Sequence, residues 1–191
     1  AMSAAVLGAT NTWMTKTVVE GSTIQGVSNT ITVTIQPSAA LAATNTIVIS
    51  GLTGTATADN GSLPIAGAAA ATVGSTGAWV QDSGTLTLTV AGGQTIATGS
   101  DSVLTFDLTN SASAQTAVTP QIEATGTVIA AVDMSTAVLG AAAGGANNSW
   151  ATKSIVGGST RKGATHTIAA TIQPSAQLAE SNTIVLSGLT G

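Results

Sequence analysis

The sequence contains no cysteine, no tyrosine, a single phenylalanine, and only four basic residues against eight acidic ones. The absence of cysteine excludes disulfide bonds, thiolate metal sites and thiol catalysis. Four scattered cations cannot form the basic surface by which proteins bind nucleic acid. No apolar run approaches the roughly 18 to 20 residues of a membrane-spanning helix. We therefore expect no nucleic-acid partner and no membrane insertion.

Small residues make up most of the sequence. Of the 191 residues, 35 are alanine, 34 threonine, 22 glycine and 19 serine, and 43% of the chain is hydrophobic. A chain stays disordered when its hydrophobicity is low and its net charge is high. Since this sequence has neither property, we expect it to fold.

An internal repeat organises the chain. Residues 10–54 recur as residues 147–191, with 28 of 45 positions identical and Trp13 aligned with Trp150. Upstream, AMSAAVLGA (1–9) matches DMSTAVLGA (133–141), so the second copy has gained five residues between the two matches, which marks a loop. We predict a tandem repeat of about 132–137 residues. The predicted domains are a complete unit at 1–133 and the first part of a second at 134–191.

The second copy holds only the beginning of the repeat. The hydrophobic face of a sheet must be buried against a partner layer. Three explanations stay open: the polypeptide continues, another subunit supplies the missing strands, or the sequence is an arbitrary fragment. The first two point to an extended, repetitive assembly.

Alternation of apolar and hydroxyl residues with period two predicts the secondary structure. Turn signals such as Asn60-Gly61 separate the strands, and the connection at 37–42 should place Leu41 in the core. The pattern predicts an all-β fold, an antiparallel Ig-like or Greek-key β-sandwich with about eight strands per unit. The predicted strands are 13–19, 30–36, 46–49, 78–80, 85–90, 103–108, 121–124 and 127–132.

The most apolar stretch of the chain, residues 125–139, spans the junction between the copies. We interpret it as a last strand that runs almost without a linker into the first strand of the next unit. Strand addition between units would use the edge-pairing chemistry of β-augmentation. The candidate residues for this inter-subunit or inter-repeat packing are Val6, Leu7, Trp13, Val138, Leu139 and Trp150.

Residues that could carry catalysis are scarce. A nucleophile usually needs a histidine base, and the sole histidine, His166, aligns with Asn29 in the first copy. Glu20 aligns with Gly157, so that position does not require an acid. Calcium loops and phosphate, dinucleotide and zinc motifs are absent. We expect no catalytic residues, no metal site and no cofactor, and therefore not an enzyme.

Two sequons predict N-glycosylation in loops, at Asn60 (Asn60-Gly61-Ser62) and at Asn147 (Asn147-Asn148-Ser149). The 53 serine and threonine hydroxyls are further acceptors for O-linked sugar. A surface with so few charges lacks the usual protection against association. We expect covalent glycans or neighbouring subunits to cover it.

The segments NTIVISGLTGTATADNGSLPIAG and GAWVQDSGTLTLTVAGGQTI resemble the Ig-like tandem repeats of large secreted proteins of algae and related protists. Bacterial adhesin repeats are the second resemblance. The resemblance implies an extracellular, glycosylated structural protein at the cell surface. We expect its partner to be itself, as a homopolymer or a tandem array. We predict a structural subunit of an extracellular filament or surface appendage. The alternatives are a spacer or stalk repeat of a cell-surface adhesin, and a carbohydrate-binding module that would use Trp79.

Overall fold

A computed structural model describes residues 10–141, 150–158, 163, 165, 167–174 and 183–189. The chain divides into two compact units, Ala1–Ala146 and Asn147–Gly191. In chain order, the strands of the described residues are β1 (Trp13–Glu20), β2 (Ser28–Pro37), β3 (Leu41–Ala42), β4 (Thr46–Ser50), β5 (Asn60–Pro64), β6 (Thr76–Val80), β7 (Thr85–Thr89), β8 (Thr95–Ile96), β9 (Ser102–Thr109), β10 (Gln121–Thr125), β11 (Ile129–Asp133), β12 (Trp150–Gly157) and β13 (Ile168–Pro174).

The first unit is built from antiparallel sheets that share one core. One sheet has three strands in the order β1-β2-β9, and the other has six in the order β11-β10-β4-β7-β6-β5. The two-residue strands β3 and β8 form a small additional pair. Apolar side chains from both larger sheets belong to the same buried cluster. The unit is therefore an all-β fold with the layered arrangement of a β-sandwich.

Alternation along the strands explains the core. In β2, the side chains of Ile31, Val33 and Ile35 are fully buried, while the threonines between them are exposed or half-buried. Successive side chains of a strand point to opposite faces, so threonine on the outer face and aliphatic residues on the inner face specify one orientation. The other strands contribute further buried side chains, which include Ile47, Ile49, Trp79, Leu86, Leu88, Leu104, Phe106, Leu108 and Ile122.

All eight predicted strands of the first unit are confirmed, with bounds within two residues of those expected. Leu41 is fully buried, as predicted. The turn predicted at Asn60-Gly61 is wrong, because both residues lie in edge strand β5, whose pairing with β6 is irregular between Asn60 and Leu63. The Ig-like connectivity stays a prediction.

In the structure, the boundary between the two units lies later in the chain than the sequence predicted, after Ala146 instead of after residue 133. Strand β11 ends at Asp133, and the chain then crosses to β1 instead of continuing as one strand. Met134, Val138 and Leu139 are buried in the core of the first unit. The predicted division into 1–133 and 134–191 therefore differs from the structural one, since residues 134–141 pack with the strands that precede them.

The second unit contains the hairpin β12–β13. Its register runs from Trp150 opposite Pro174 to Gly157 opposite Ile168, with one irregularity between Trp150 and Thr152. The helical element of the described residues is a single 3₁₀ turn in the first unit, Ala70–Val73. Within those residues, no helix has the length and apolar character needed to cross a membrane.

Candidate assembly site

Residues 134–141, which we name the closing segment, bind to the chain just before β10. Val118 and Val138 exchange two main-chain hydrogen bonds, each with an N–O distance of 2.8 Å. Gln115 and Ala141 form a second antiparallel bridge, with N–O distances of 2.7 and 3.0 Å. Paired main-chain groups of this kind are satisfied as in a sheet. The closing segment thus adds a strand-like element beside residues 115–120.

The opposite side of the closing segment lies along the outer edge of β1. The amide of Ser135 donates to the carbonyl of Lys16 at 3.1 Å, and the hydroxyl of Thr136 donates to the carbonyl of Val18. The ammonium of Lys16 donates to the carbonyl of Asp133 at 2.7 Å. An edge strand presents unpaired main-chain groups that can recruit another chain. Part of this edge of β1 is covered by the closing segment.

Leu139 anchors the far end of the closing segment. It is buried and has a φ of 61°, in the left-handed region that a non-glycine residue seldom adopts. Its amide donates to the carboxylate of Glu20 at 2.8 Å, and its carbonyl accepts from the side-chain amide of Gln115. Backbone strain of about 1–3 kcal/mol persists only where surrounding contacts enforce it. Here, Glu20 and Gln115 supply those contacts.

A buried polar network holds Glu20 in place. Asn29 is fully buried, and its amide nitrogen donates to Glu20 at 3.1 Å and to the side-chain oxygen of Asn110 at 2.8 Å. The side-chain oxygen of Asn29 accepts from the amides of Gly21 and Ser22 at 2.9 and 3.0 Å. A buried amide is stable when its donors and acceptors are all paired. The network ties the β1–β2 turn to the end of β9 and presents the Glu20 carboxylate to the closing segment.

The unit begins and ends at opposite ends of β1. The chain enters β1 at Trp13, while the closing segment runs parallel to β1 and reaches Glu20 at its other end. At about 3.3 Å per residue, the separation from Trp13 to Glu20 is about 23 Å. The first and last strand-like elements of the first unit therefore leave it near opposite ends of β1.

The predicted packing residues lie in different environments. Val138 and Leu139 are buried in the first unit, and Trp13 is also part of that unit's core, where its indole nitrogen has no hydrogen-bond partner among the described residues. Trp150, in the second unit, is 38% exposed. A contact of either tryptophan with a neighbouring unit stays a prediction. Val6 and Leu7 lie outside the described residues.

The sequon at Asn60 is exposed on an edge strand instead of in a loop. The side-chain oxygen of Asn60 accepts from the amide of Ser62 at 2.9 Å, and its amide group has no role in the core. Glycosylation at this position stays a prediction. Asn147, the other predicted acceptor, lies outside the described residues.

Several acidic residues of the first unit have hydrogen-bond partners within it. Asp59 accepts from the amide of Gln81 at 2.7 Å, and Asp107 accepts from the hydroxyl of Thr30 at 2.6 Å. Across the described residues, histidine, aspartate and glutamate form no group of three that could hold a metal ion. His166 lies outside those residues. The carboxylate with the most specific geometry is Glu20, whose role is to position main chain.

Sequence reasoning did not identify Glu20 and Asn29 as functional residues. Glu20 aligns with Gly157, which argues against a required acid at that position, and Asn29 enters the sequence analysis only as the counterpart that argues against a role for His166. The structure shows that the two side chains bind each other. Both positions differ between the copies, but so do 15 others of the 45 that align, so the sequence alone did not single out this pair. Comparison of the chain with protein-family models and with curated protein sequences found no match.

Proposed function

We propose that this chain is a structural subunit of an extracellular filament or surface appendage, built from β-sandwich units joined end to end. The observation that carries the proposal is the position of the closing segment. By sequence, residues 134–141 match the start of a repeat copy, yet Met134, Val138, Leu139 and Ala141 are buried in the preceding unit. A segment that belongs to one copy by sequence and packs in the core of the copy before it would link successive copies through side-chain packing as well as through the peptide chain.

Two further features support an extended assembly. The start and the end of the first unit lie at opposite ends of β1, which favours linear growth. The closing segment covers main-chain groups of β1, and edge coverage of this kind is the chemistry of strand addition. The role we propose is non-catalytic, with the partner being further copies of the unit.

The surface composition supports an extracellular location. Only 12 residues carry charge, against 53 hydroxyl side chains. Such a surface needs another source of solubility, which covalent glycans would supply. Asn60 is exposed and would be accessible to a glycosyltransferase. Glycosylation of the native protein is part of the proposal.

Electron microscopy of the native material, combined with the intact mass of the chain, tests the proposed function. We expect continuous filaments whose axial repeat corresponds to one unit. The mass then separates covalent tandem units from separate chains joined by strand exchange. Dispersed flexible chains would overturn the filament proposal and favour the alternative of an adhesin spacer. Removal of glycans before the mass measurement gives the matched control for the sugar contribution.

The structure does not favour the carbohydrate-binding alternative through Trp79. A tryptophan that stacks on a sugar ring needs an exposed face. Trp79 is 1% exposed, and its indole nitrogen donates to the carbonyl of Thr57 at 3.0 Å. Its ring is a core element of the six-stranded sheet.

A further inference from the structure

Edge strand β5 contains the one asparagine of the sequence that is followed by glycine. Of the eight asparagines, Asn60 precedes Gly61, whereas the others precede threonine, serine or asparagine. Asn60, Gly61 and Ser62 are all exposed. A side chain on the following residue shields its main-chain nitrogen from the asparagine, and glycine has no such side chain. The Gly61 nitrogen is therefore the one most accessible to the side chain of the asparagine before it.

A β-bulge releases Gly61 from the regular ladder. The register of β5 against β6 shifts between Asn60 and Leu63, where two residues of β5 lie opposite Ala78 alone. Two residues opposite one is the pattern of a β-bulge, in which ladder hydrogen bonds are locally lost. Among the described residues, nothing lies within 4 Å of the position that a Cβ on Gly61 would take. The main chain at Gly61 is therefore not held by packing on that side.

The Ser62 amide binds the atom on which negative charge would develop. It donates to the side-chain oxygen Oδ1 of Asn60 at 2.9 Å. When a nucleophile attacks the Cγ of Asn60, the electrons of the carbonyl bond move onto Oδ1. A donor that is already in place stabilises such a charge as it forms. The same hydrogen bond turns the Asn60 side chain towards the main chain that follows it, where the Gly61 nitrogen lies.

We propose that Asn60 is a site of intramolecular deamidation, which converts its side-chain amide to a carboxylate without an enzyme. The Gly61 nitrogen bonds to Cγ, the bond from Cγ to Nδ2 breaks, and Nδ2 leaves as ammonia after taking up, through water, the proton that Gly61 loses. The product is a cyclic succinimide. Water then adds to either ring carbonyl and gives aspartate or isoaspartate at position 60. The sum is water consumed and ammonia released, without oxidation or reduction.

The conversion goes beyond the proposed function, because it changes the edge of the six-stranded sheet with time. It adds a negative charge to β5, and charge on an edge strand opposes pairing with further strands. Isoaspartate also inserts a carbon into the main chain beside the pair formed by Asn60 and Trp79. The loss of Nδ2 removes the atom to which an N-linked sugar would attach. Deamidation and glycosylation therefore exclude each other at Asn60.

Incubation of the full chain, produced in a host without N-glycosylation, is the first test. The solvent is neutral water enriched in heavy oxygen, which distinguishes conversion during incubation from conversion during sample preparation. Mass spectrometry of the peptide that contains Asn60 should show labelled aspartate and labelled isoaspartate. Asn11, which is half-buried and precedes Thr12, is the internal control and should stay unconverted. Absence of conversion at Asn60, aspartate without isoaspartate, or equal conversion at Asn11 would overturn the proposal.

The same incubation in urea tests whether the folded strand permits the reaction. A regularly paired strand would hold the Gly61 nitrogen in the ladder, whereas the bulge leaves it free to attack. We expect comparable conversion of Asn60 in the folded and in the unfolded chain at the same pH and temperature. Conversion confined to the urea sample would overturn the proposal, since the folded strand would then protect Asn60.

Three variants of the full chain identify the groups that take part. S62A keeps the main-chain N–H of residue 62 and S62P removes it, while both abolish the sequon. We expect S62A to convert as fast as the unchanged chain and S62P several-fold more slowly. G61A should also convert several-fold more slowly, and the open space at Gly61 lets it fold unchanged. Equal rates in S62A and S62P, or an unchanged rate in G61A, would overturn the proposal.

Thermal melts confirm that each variant folds. If S62P shows no melting transition, the G61A rate and the urea comparison provide the test. Because every measurement uses the unglycosylated chain, the outcome does not depend on whether the native protein forms filaments. Filaments without conversion at Asn60 would refute this site and leave the proposed function standing, and conversion without filaments would do the reverse.

Discussion

The hairpins β1–β2 and β12–β13 have closely related sequences but opposite surroundings. Their registers are equivalent, including the irregularity directly after Trp13 and after Trp150. Yet Ile31 of β2 is 0% exposed, whereas its counterpart Ile168 of β13 is 47% exposed. The same difference separates Trp13, at 7%, from Trp150, at 38%.

The comparison separates what local sequence determines from what distant strands determine. Register follows from side-chain alternation and turn length, which both hairpins contain. Burial follows from partners: β2 pairs with β9 as well as β1, whereas β13 pairs only with β12 among the described residues. Within the described part of the chain, the apolar side chains of the second hairpin therefore match those of a core but are not covered by a second layer.

The largest expected effect comes from deleting an equivalent side chain in each hairpin. Ile31→Ala should lower the free energy of unfolding by about 2–5 kcal/mol, because a fully buried side chain leaves a cavity. Ile168→Ala should change it by less than about 0.5 kcal/mol, as is usual at exposed sites. Denaturant unfolding followed by circular dichroism measures both. Equal losses would mean that the second hairpin is buried against a partner in solution.

Replacing Asn29 by the residue of the second copy tests the polar network. Asn29→His should cost about 3 kcal/mol, because the amides of Gly21 and Ser22 lose their acceptor in a buried site. The exposed Asn60→His provides the control and should be nearly neutral. Hydrogen exchange at Gly21 and Ser22 should accelerate only in the first variant. Unchanged exchange there would show that the network is not the source of order in this turn.

Glu20, which aligns with Gly157, is a second polar position at which the two hairpins differ. Glu20→Gln keeps one carbonyl oxygen but removes the negative charge that strengthens the bonds from Asn29 and Leu139. We expect a loss of about 1–2 kcal/mol in the free energy of unfolding. Glu20→Gly, the residue of the second copy, should lose more. A matched change at half-buried Glu123, which lies in β10, should have little effect, and an equal loss there would contradict a specific role for Glu20.

Substitution of the two equivalent lysines, Lys16 and Lys153, should give the smallest difference in stability between the hairpins. The ammonium of Lys16 binds the carbonyl of Asp133, so Lys16→Met should cost about 0.5 kcal/mol in unfolding free energy. Lys153 is exposed, and Lys153→Met should leave the melting midpoint unchanged. Thermal melts of both variants, measured in parallel, test this prediction. A larger loss of stability from Lys153→Met than from Lys16→Met would mean that the Lys153 side chain makes a stabilising contact of its own.

The strands were predictable because the alternation of threonine with aliphatic residues directly reflects one buried face. Strand β5 was not, since Asn60-Gly61 is a typical turn sequence and only the irregular edge pairing with β6 makes it extended. The closing segment was identified as a packing element through Val138 and Leu139, but was assigned to the wrong unit. Its apolar residues continue directly from β11, and contacts with residues 115–120 and with β1, more than 100 residues earlier, determine where it packs.

The parallel course of the closing segment beside β1 has a mechanical consequence. Tension applied to the two ends of the unit would pull β1 towards Trp13 and the closing segment beyond Glu20, in opposite directions. The hydrogen bonds of Ser135 and Thr136 to β1 then carry the load together as a shear clamp instead of opening one after another. Rupture of such a unit depends on its unfolding rate under load more than on its equilibrium stability.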